Sequence, residues 1–227
     1  MLDPYSNKDI VAKYEQRYLT DQRVAHETAY EIRLTEQILN AYGYRSWCDV
    51  ACGTGYHLRN VNTNAAKTGI DRSTEMLAAW TDTMRSSIAY LNSDIIDVDP
   101  TFKYNLVTNF LFGYTHQSSL NHVIAFFKQM IDITDVGGSI IISVHNNWRM
   151  FDHYDYKTPG AMGGEFRFDA MHWSYSEPDY PDHVFQCISP HKNLIIETFE
   201  PYFAAWSVFY YPGDYQGREI LVFKQKK

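Results

Sequence analysis

Little in this chain speaks for a secreted, membrane-spanning or nucleic-acid-binding protein. Its 227 residues include three cysteines, Cys48, Cys52 and Cys187. Their spacing fits neither a disulfide framework nor a zinc site, so no metal is expected. Small packing residues in a reducing compartment are the natural reading. No apolar run approaches the roughly 20 residues that a bilayer crossing needs, and no signal-like stretch opens the sequence; a cytoplasmic location without membrane attachment is expected. Basic residues are scarce: 20 Lys and Arg face 27 Asp and Glu, a net charge of −7. The basic cluster Lys224-Gln225-Lys226-Lys227 reads as a solvated tail. An extended phosphate-binding surface needs clustered Lys and Arg, so nucleic acid is disfavoured as a partner.

Aromatic residues, by contrast, are plentiful. They make up 16% of the chain, with 18 Tyr and 13 Phe, concentrated in the second half, and point to an aromatic-lined pocket as well as core. Hydrophobic residues reach 45%, enough for a proper core, and the length suits one domain with an insertion. A single domain over 1–227 is expected: a helical cap at 1–43, a ligand-binding core at 44–144, a substrate-covering insert at 145–190 and a closing helix and strand pair at 191–227.

The densest local signal is Trp47-Cys48-Asp49-Val50-Ala51-Cys52-Gly53-Thr54-Gly55, followed by Gly69-Ile70-Asp71. A short apolar strand enters a glycine turn, the turn opens a helix, and a second strand ends on an acid. That is a nucleotide-binding first crossover, with Asp71 placed to accept from ribose hydroxyls. A dinucleotide fingerprint needs a third glycine, and that position holds Leu58. Asp49 would repel a diphosphate but suits the ammonium of an amino acid. An amino acid joined to adenosine is S-adenosylmethionine (SAM). The segment Asp49-Val50-Ala51-Cys52-Gly53-Thr54-Gly55 resembles the first motif of class I SAM-dependent methyltransferases.

The rest of the chain agrees in cadence. Helical periodicity runs from Asp9 to about Tyr42 and ends at Gly43. Strands are expected at Ser46–Val50, Ala66–Ile70, Ile88–Leu91, Asn105–Leu111 and Ser139–Val144, the last after a Gly137-Gly138 turn. Helices are expected at His57–Thr63, Thr74–Arg85 and Leu120–Ile133. This alternation means a parallel sheet covered on both faces. From His145 to about Pro190 short alternating runs, Phe166–Trp173 and His183–Ile188, suggest an antiparallel insert. A helix at His191–Phe199 and a strand pair at Trp206–Tyr211 and Arg218–Phe223 close the chain. The resemblance implies an α/β Rossmann-like class I methyltransferase fold: a mostly parallel seven-stranded sheet with an antiparallel C-terminal edge and a small β-rich insert after strand five.

Ligands in such sheets lie across the carboxyl ends of the strands. Asp49, Ala51, Cys52, Gly53, Thr54 and Gly55 then meet the methionine part of SAM, and Asp71 the ribose, flanked by Arg72 and Met76. After strand three, Asn92-Ser93-Asp94-Ile95 resembles the family's adenine segment, with Asp94 and Ile95 as the contacts. After strand four, Phe110 and Leu111 are expected against the cofactor, and Tyr114 and His116 where a methyl acceptor is held. An amine needs mainly alignment, whereas a hydroxyl needs a base, for which His116 or His145 serves.

The segment after strand five, His145-Asn146-Asn147-Trp148-Arg149, resembles that of small-amine N-methyltransferases of the glycine, sarcosine and sugar-amine types. Glycine-type enzymes carry a carboxylate-clamping arginine where this chain has Asn146, which argues against glycine itself. Asn146, Trp148, Arg149, Trp173 and Tyr175 are the expected substrate contacts, with Phe151 and Tyr154 adding rings that attract a cationic amine; Arg167 is an alternative anion contact. The implied reaction turns SAM into S-adenosylhomocysteine on a small-molecule amine. O-methylation and a SAM-binding regulatory protein without turnover are the alternatives. A homo-oligomer is allowed.

Overall fold

The computed structural model describes residues 4–16, 20–146, 163–166, 170–177, 180–213 and 217–227. Among the described residues, two α-helices precede the first strand: α1 (Lys8–Tyr14) and α2 (Gln22–Tyr42). The single long helix expected here is interrupted because Asp21 caps α2, accepting from the amides of Arg23 and Val24. Gly43 ends α2 in the left-handed region at φ 61°, the usual place for a glycine.

Then come β1 (Ser46–Val50), α3 (Tyr56–Asn60), β2 (Ala66–Asp71), α4 (Thr74–Ala78), α5 (Asp82–Ser87) and β3 (Ala89–Asn92). The helix expected over Thr74–Arg85 is two. Thr81 starts a second one by capping the Met84 amide, and Trp80 turns inward to donate from Nε1 to the Gly53 carbonyl at 3.0 Å. Strand β4 (Tyr104–Asn109), α6 (Leu120–Ile133) and β5 (Thr134–His145) complete the parallel part. Gly137-Gly138, expected as a turn before the strand, lies inside β5. There the register jumps from Tyr104↔Thr134 to Leu106↔Ser139, so the pair forms a bulge. The remaining elements are β6 (Gly163–Phe166), β7 (Ala170–Glu177), β8 (Tyr180–Pro190), α7 (Lys192–Phe199), β9 (Phe203–Tyr210) and β10 (Arg218–Lys226).

The main sheet has seven strands in the order β3-β2-β1-β4-β5-β10-β9, and β6, β7 and β8 form a separate antiparallel sheet. Strands β1 to β5 run parallel, while β10 is antiparallel to both neighbours. Side chains alternate between two core layers, as the two-residue period of a strand requires. Ile140, Ile142, Leu221 and Phe223 face the layer under α6 and α7. Ile141, Ile220, Val222, Leu106 and Trp47 face the layer under α2, α3 and α5. The second layer therefore adjoins the first turn of α3, and the order reverses between β1 and β4, where open α/β sheets bind ligands.

The missing third glycine has a counterpart across the layer. Leu58 is fully buried on α3, and a Cβ added at Gly69 on β2 would lie 2.9 Å from Leu58 Cδ1, 2.8 Å from Cys52 Sγ and 2.9 Å from Trp80 Cη2. Room for the helix to approach the strand comes from a glycine in the strand rather than one in the helix. Gly69→Ala is accordingly expected to cost about 1–3 kcal/mol of stability through overpacking, read as a lowered denaturation midpoint with an unchanged m-value. A fully stable variant would contradict this packing.

Candidate functional site

The backbone after β1 is held in uncommon conformations. Ala51, Gly53 and Gly55 have φ of 54°, 55° and 74°. A left-handed alanine is strained, and strain of this kind persists where its surroundings over-determine it. Those surroundings are visible. The Cys52 amide donates to the Ile70 carbonyl at 3.1 Å, and the Gly53 amide to Asp71 Oδ2 at 2.7 Å. Asp71 Oδ1 accepts from the Ser73 amide at 2.8 Å, so one carboxylate joins the β1 turn to the end of β2.

On the other side, Asn109 at the end of β4 donates to the Val50 carbonyl at 2.7 Å. The loop it opens has its own left-handed pair, Leu111 and Phe112, at φ 50° and 61°. Arg72 ties a third loop in: its guanidinium lies 3.6 Å from Asp94 Oδ2 and donates to the His116 carbonyl at 3.0 Å.

Together these loops surround a cleft whose empty space, its mouth included, is about 800 Å³. Of the cofactor residues expected from sequence, Asp49, Ala51, Cys52, Gly53, Asp71, Arg72, Met76, Asp94, Ile95, Phe110 and Leu111 line it, and so does His116. A Cβ at Gly53 would project between Met76 Sδ, 3.7 Å away, and the Tyr14 ring, 4.0 Å away. The bare backbone thus forms the floor between those side chains.

The wall is acidic. Arg72 is the Lys or Arg among the described lining residues, against Asp49, Asp71 and Asp94. Asp49, only 2% exposed, accepts from Thr108 Oγ1 at 2.6 Å. Burial pushes its carboxyl up to about 6, against the opposing pull of His57 and Thr108. His116 moves the other way. Burial and the Arg72 charge lower it to about 4, so its imidazole is neutral through the physiological range. The Cys187 thiol lies 3.7 Å from its Nδ1.

Several expected residues lie elsewhere. Gly55 is a packing position, since a Cβ there would meet Met84 Cε at 2.6 Å, and Thr54 is buried beside it outside the cleft lining. Tyr114, expected near the acceptor, is fully enclosed with its ring 5.1 Å from that of Phe127. It sits in a 3₁₀ turn, Gly113–His116, where residues two apart point in different directions. His145, expected as an alternative base, stacks on Phe112 at 3.8 Å and pairs with Ser189 at 2.9 Å. It links β5 to β8 away from the cleft. Asn146 donates to Glu219 of β10 at 2.8 Å. Trp173 is buried in the insert with its Nε1 on Ser189 at 2.9 Å. Tyr175 stacks on Phe185 at 4.5 Å and stands behind His116, with ring centroids 6.5 Å apart. Trp148, Arg149, Phe151, Tyr154 and Arg167 lie outside the described residues.

The cleft is also lined by residues that the sequence did not mark as site residues: Tyr5, Tyr14, His57, Ser73, Gln117 and Phe126. Tyr5 packs edge-on against both Tyr14 and His116, at 5.7 and 5.4 Å, and Ser73 Oγ donates to its carbonyl at 2.8 Å. The contacts with His116 and Ser73 span more than sixty residues, so no local pattern announces them. His57, by contrast, stands two residues after Gly55, where its closeness to the turn was a usable signal.

No family model and no curated protein matches the sequence. Solved structures do match. A SAM-dependent methyltransferase from Clostridium acetobutylicum superposes with a TM-score of 0.68 and 14% identity, over 96% of this chain and 99% of its own. The fold is that of SAM-dependent methyltransferases. An amino pentose methyltransferase from Micromonospora echinaspora, solved with SAM bound, shares the methyltransferase fold at TM-score 0.65 and 17% identity, over 94% of this chain and 96% of its own. A sugar N-methyltransferase from Streptoalloteichus does so at TM-score 0.58 and 16% identity, over 94% and 93%.

Proposed function

We propose that the protein is a SAM-dependent methyltransferase acting on a small molecule, with an amine nitrogen as acceptor. The observation that carries this is the series Asp49, Asp71 and Asp94 on one cleft, at the end of β1, the end of β2 and just beyond β3. In this reading Asp49 faces the donor's ammonium, Asp71 the ribose hydroxyls and Asp94 the adenine amine. The turn at Ala51 and Gly53 supplies the close backbone approach. Asp49 beside the glycine turn would repel a diphosphate, which disfavours dinucleotides on charge.

SAM supplies an electrophilic methyl on a sulfonium, so the protein's task is to align an acceptor behind that carbon and exclude water. Tyr5, Tyr14, His116 and Phe126 form the aromatic side of the cleft. Ring faces and three acids suit an amine better than a carboxylate, since the cation Arg72 is already engaged by Asp94 and a backbone carbonyl. Amino sugars are a fitting class, in line with the sugar-modifying enzymes that share the fold. The free, buried cysteines Cys48, Cys52 and Cys187 fit a reducing, cytoplasmic setting.

The neutral His116 supports O-methylation as a second reading, because a hydroxyl acceptor needs a base in that position. Incubation with methyl-labelled SAM and panels of amino sugars, simple amines and phenols separates the two. For an amine acceptor, His116→Ala is expected to lower kcat less than about tenfold, with the pH profile following the amine's own pKa. For a hydroxyl acceptor the loss is about 10²–10⁴-fold, the usual contribution of general base catalysis. SAM binding without methylated product from any panel would favour a regulatory role.

A further inference from the structure

Behind the cleft lies a buried ionic group that the roles given above leave unused. Glu31, in the middle of α2, is fully buried. Its Oε1 accepts from Ser143 Oγ at 2.6 Å and Tyr211 Oη at 2.5 Å, and its Oε2 is 2.8 Å from His57 Nε2. His57 is 4% exposed, stacks on Phe110 with centroids 4.5 Å apart, and lines the cleft together with Asp49. Buried ion pairs cost more than well-packed apolar residues of the same volume, so this one is poor evidence for stability. Its position at the foot of the cleft gives it another use.

We propose that Glu31 and His57 are positioning residues for Asp49: an imidazolium fixed by Glu31 beneath the cleft keeps the Asp49 carboxylate charged, and so holds the ammonium of the donor's amino-acid end. The proposal rests on the SAM reading above.

The charge count is simple. Asp49, Glu31 and His57 together carry one negative charge, and a bound ammonium makes the group neutral. Without the imidazolium, two carboxylates share one buried region and one of them takes up a proton. The other groups facing this set are known. Asp49 meets Thr108 from β4 and feels Asp71 from β2. Glu31 feels Glu27, one turn earlier on α2, which Arg218 of β10 neutralises at 2.6 Å. Tyr56 presents its ring edge to His57 at 6.3 Å. Burial opposes a charged His57, but the hydrogen bond and charge of Glu31 more than offset it, so its pKa is raised above the ordinary value. An opposite charge favours the ionised form of a carboxyl, so removing the imidazolium raises the Asp49 carboxyl further above its value of about 6.

The test compares two ligands by calorimetry between about pH 5 and pH 8: S-adenosylhomocysteine, which has the amino-acid end, and 5′-methylthioadenosine, which lacks it. In the wild-type protein S-adenosylhomocysteine affinity is expected to fall as pH drops through about 6, while methylthioadenosine affinity stays level. In His57→Gln that midpoint moves up and S-adenosylhomocysteine binding at pH 7 weakens roughly tenfold, with methylthioadenosine within about twofold. In an Asp49→Asn background His57→Gln adds no further loss, the signature of action through Asp49.

Equal losses for both ligands, or an unmoved midpoint, overturn the proposal. Should the buried variants unfold on a circular dichroism check, the wild-type profile still decides: a level S-adenosylhomocysteine affinity across the range refutes it. Binding of neither ligand to the wild-type protein overturns the SAM reading itself, whereas binding of both with the wrong pH dependence overturns only this inference.

Discussion

Replacing Asp71 by alanine is expected to weaken S-adenosylhomocysteine binding by about two to four orders of magnitude. Two backbone amides orient the carboxylate, Gly53 donating to Oδ2 and Ser73 to Oδ1. Both bonds point the carboxylate at the cleft that Asp71 lines. Hydrogen bonds to a charged partner are worth about 1.5–3 kcal/mol each, and a ribose offers two hydroxyls. The same substitution strands the Gly53 and Ser73 amides, which adds about 1–3 kcal/mol of lost stability per unsatisfied group. Asp71→Asn does not rescue the site, because its NH₂ end faces one of those two donors. Calorimetry with methylthioadenosine is expected to show the same loss as with S-adenosylhomocysteine, since both ligands carry the ribose. That equality distinguishes the ribose contact from the Asp49 contact. Unchanged affinity in Asp71→Ala would refute the ribose assignment.

What the sequence made legible was local. The strand–turn–helix around Asp49 to Gly55, the acid closing β2 and the acid beyond β3 each declare themselves within a few residues, because strand ends and turn geometry are short-range. The cadence of apolar runs likewise announced the parallel strands, with boundaries off by a residue or two except at the start of β5, which lies at Thr134 instead of Ser139. Direction was harder. Tyr114 and His116 are two residues apart in one 3₁₀ turn, yet one is fully enclosed in the core and the other lines the cleft. Only the tertiary setting of the turn decides which. Long-range closure was not readable at all. Tyr5 reaches the cleft through Ser73, and Glu31 gathers partners from residues 57, 143 and 211. A glutamate inside a helix rich in Glu, Arg and Gln looks like solvated surface, and its burial becomes evident only once the sheet brings β5 beneath it.

The approach of the β1 and β4 loops gives the second large effect. Gly113 opens the 3₁₀ turn after the left-handed pair Leu111–Phe112, and a Cβ there would lie 2.6 Å from Ala51 Cβ and 2.9 Å from Asn109 Nδ2. Neither neighbour has slack. Ala51 is already strained at φ 54°, and Asn109 is held by its 2.7 Å bond to the Val50 carbonyl. Unlike the flexible side-chain ends around Gly69, these atoms yield only if the two loops part, and the loops form the floor and one wall of the cleft. Gly113→Ala is therefore expected to cost about 3 kcal/mol, at the upper end of overpacking penalties, and to lower S-adenosylhomocysteine affinity by tenfold or more. Truncation of the facing residue offers relief, so Ala51→Gly in the Gly113→Ala background should recover much of both losses. It removes the clashing Cβ and suits the positive φ at the same time. Denaturant midpoints and calorimetry on the two single variants and the double variant read this coupling directly. Additive losses, with no recovery in the double variant, would show that the loops are not in contact through this pair.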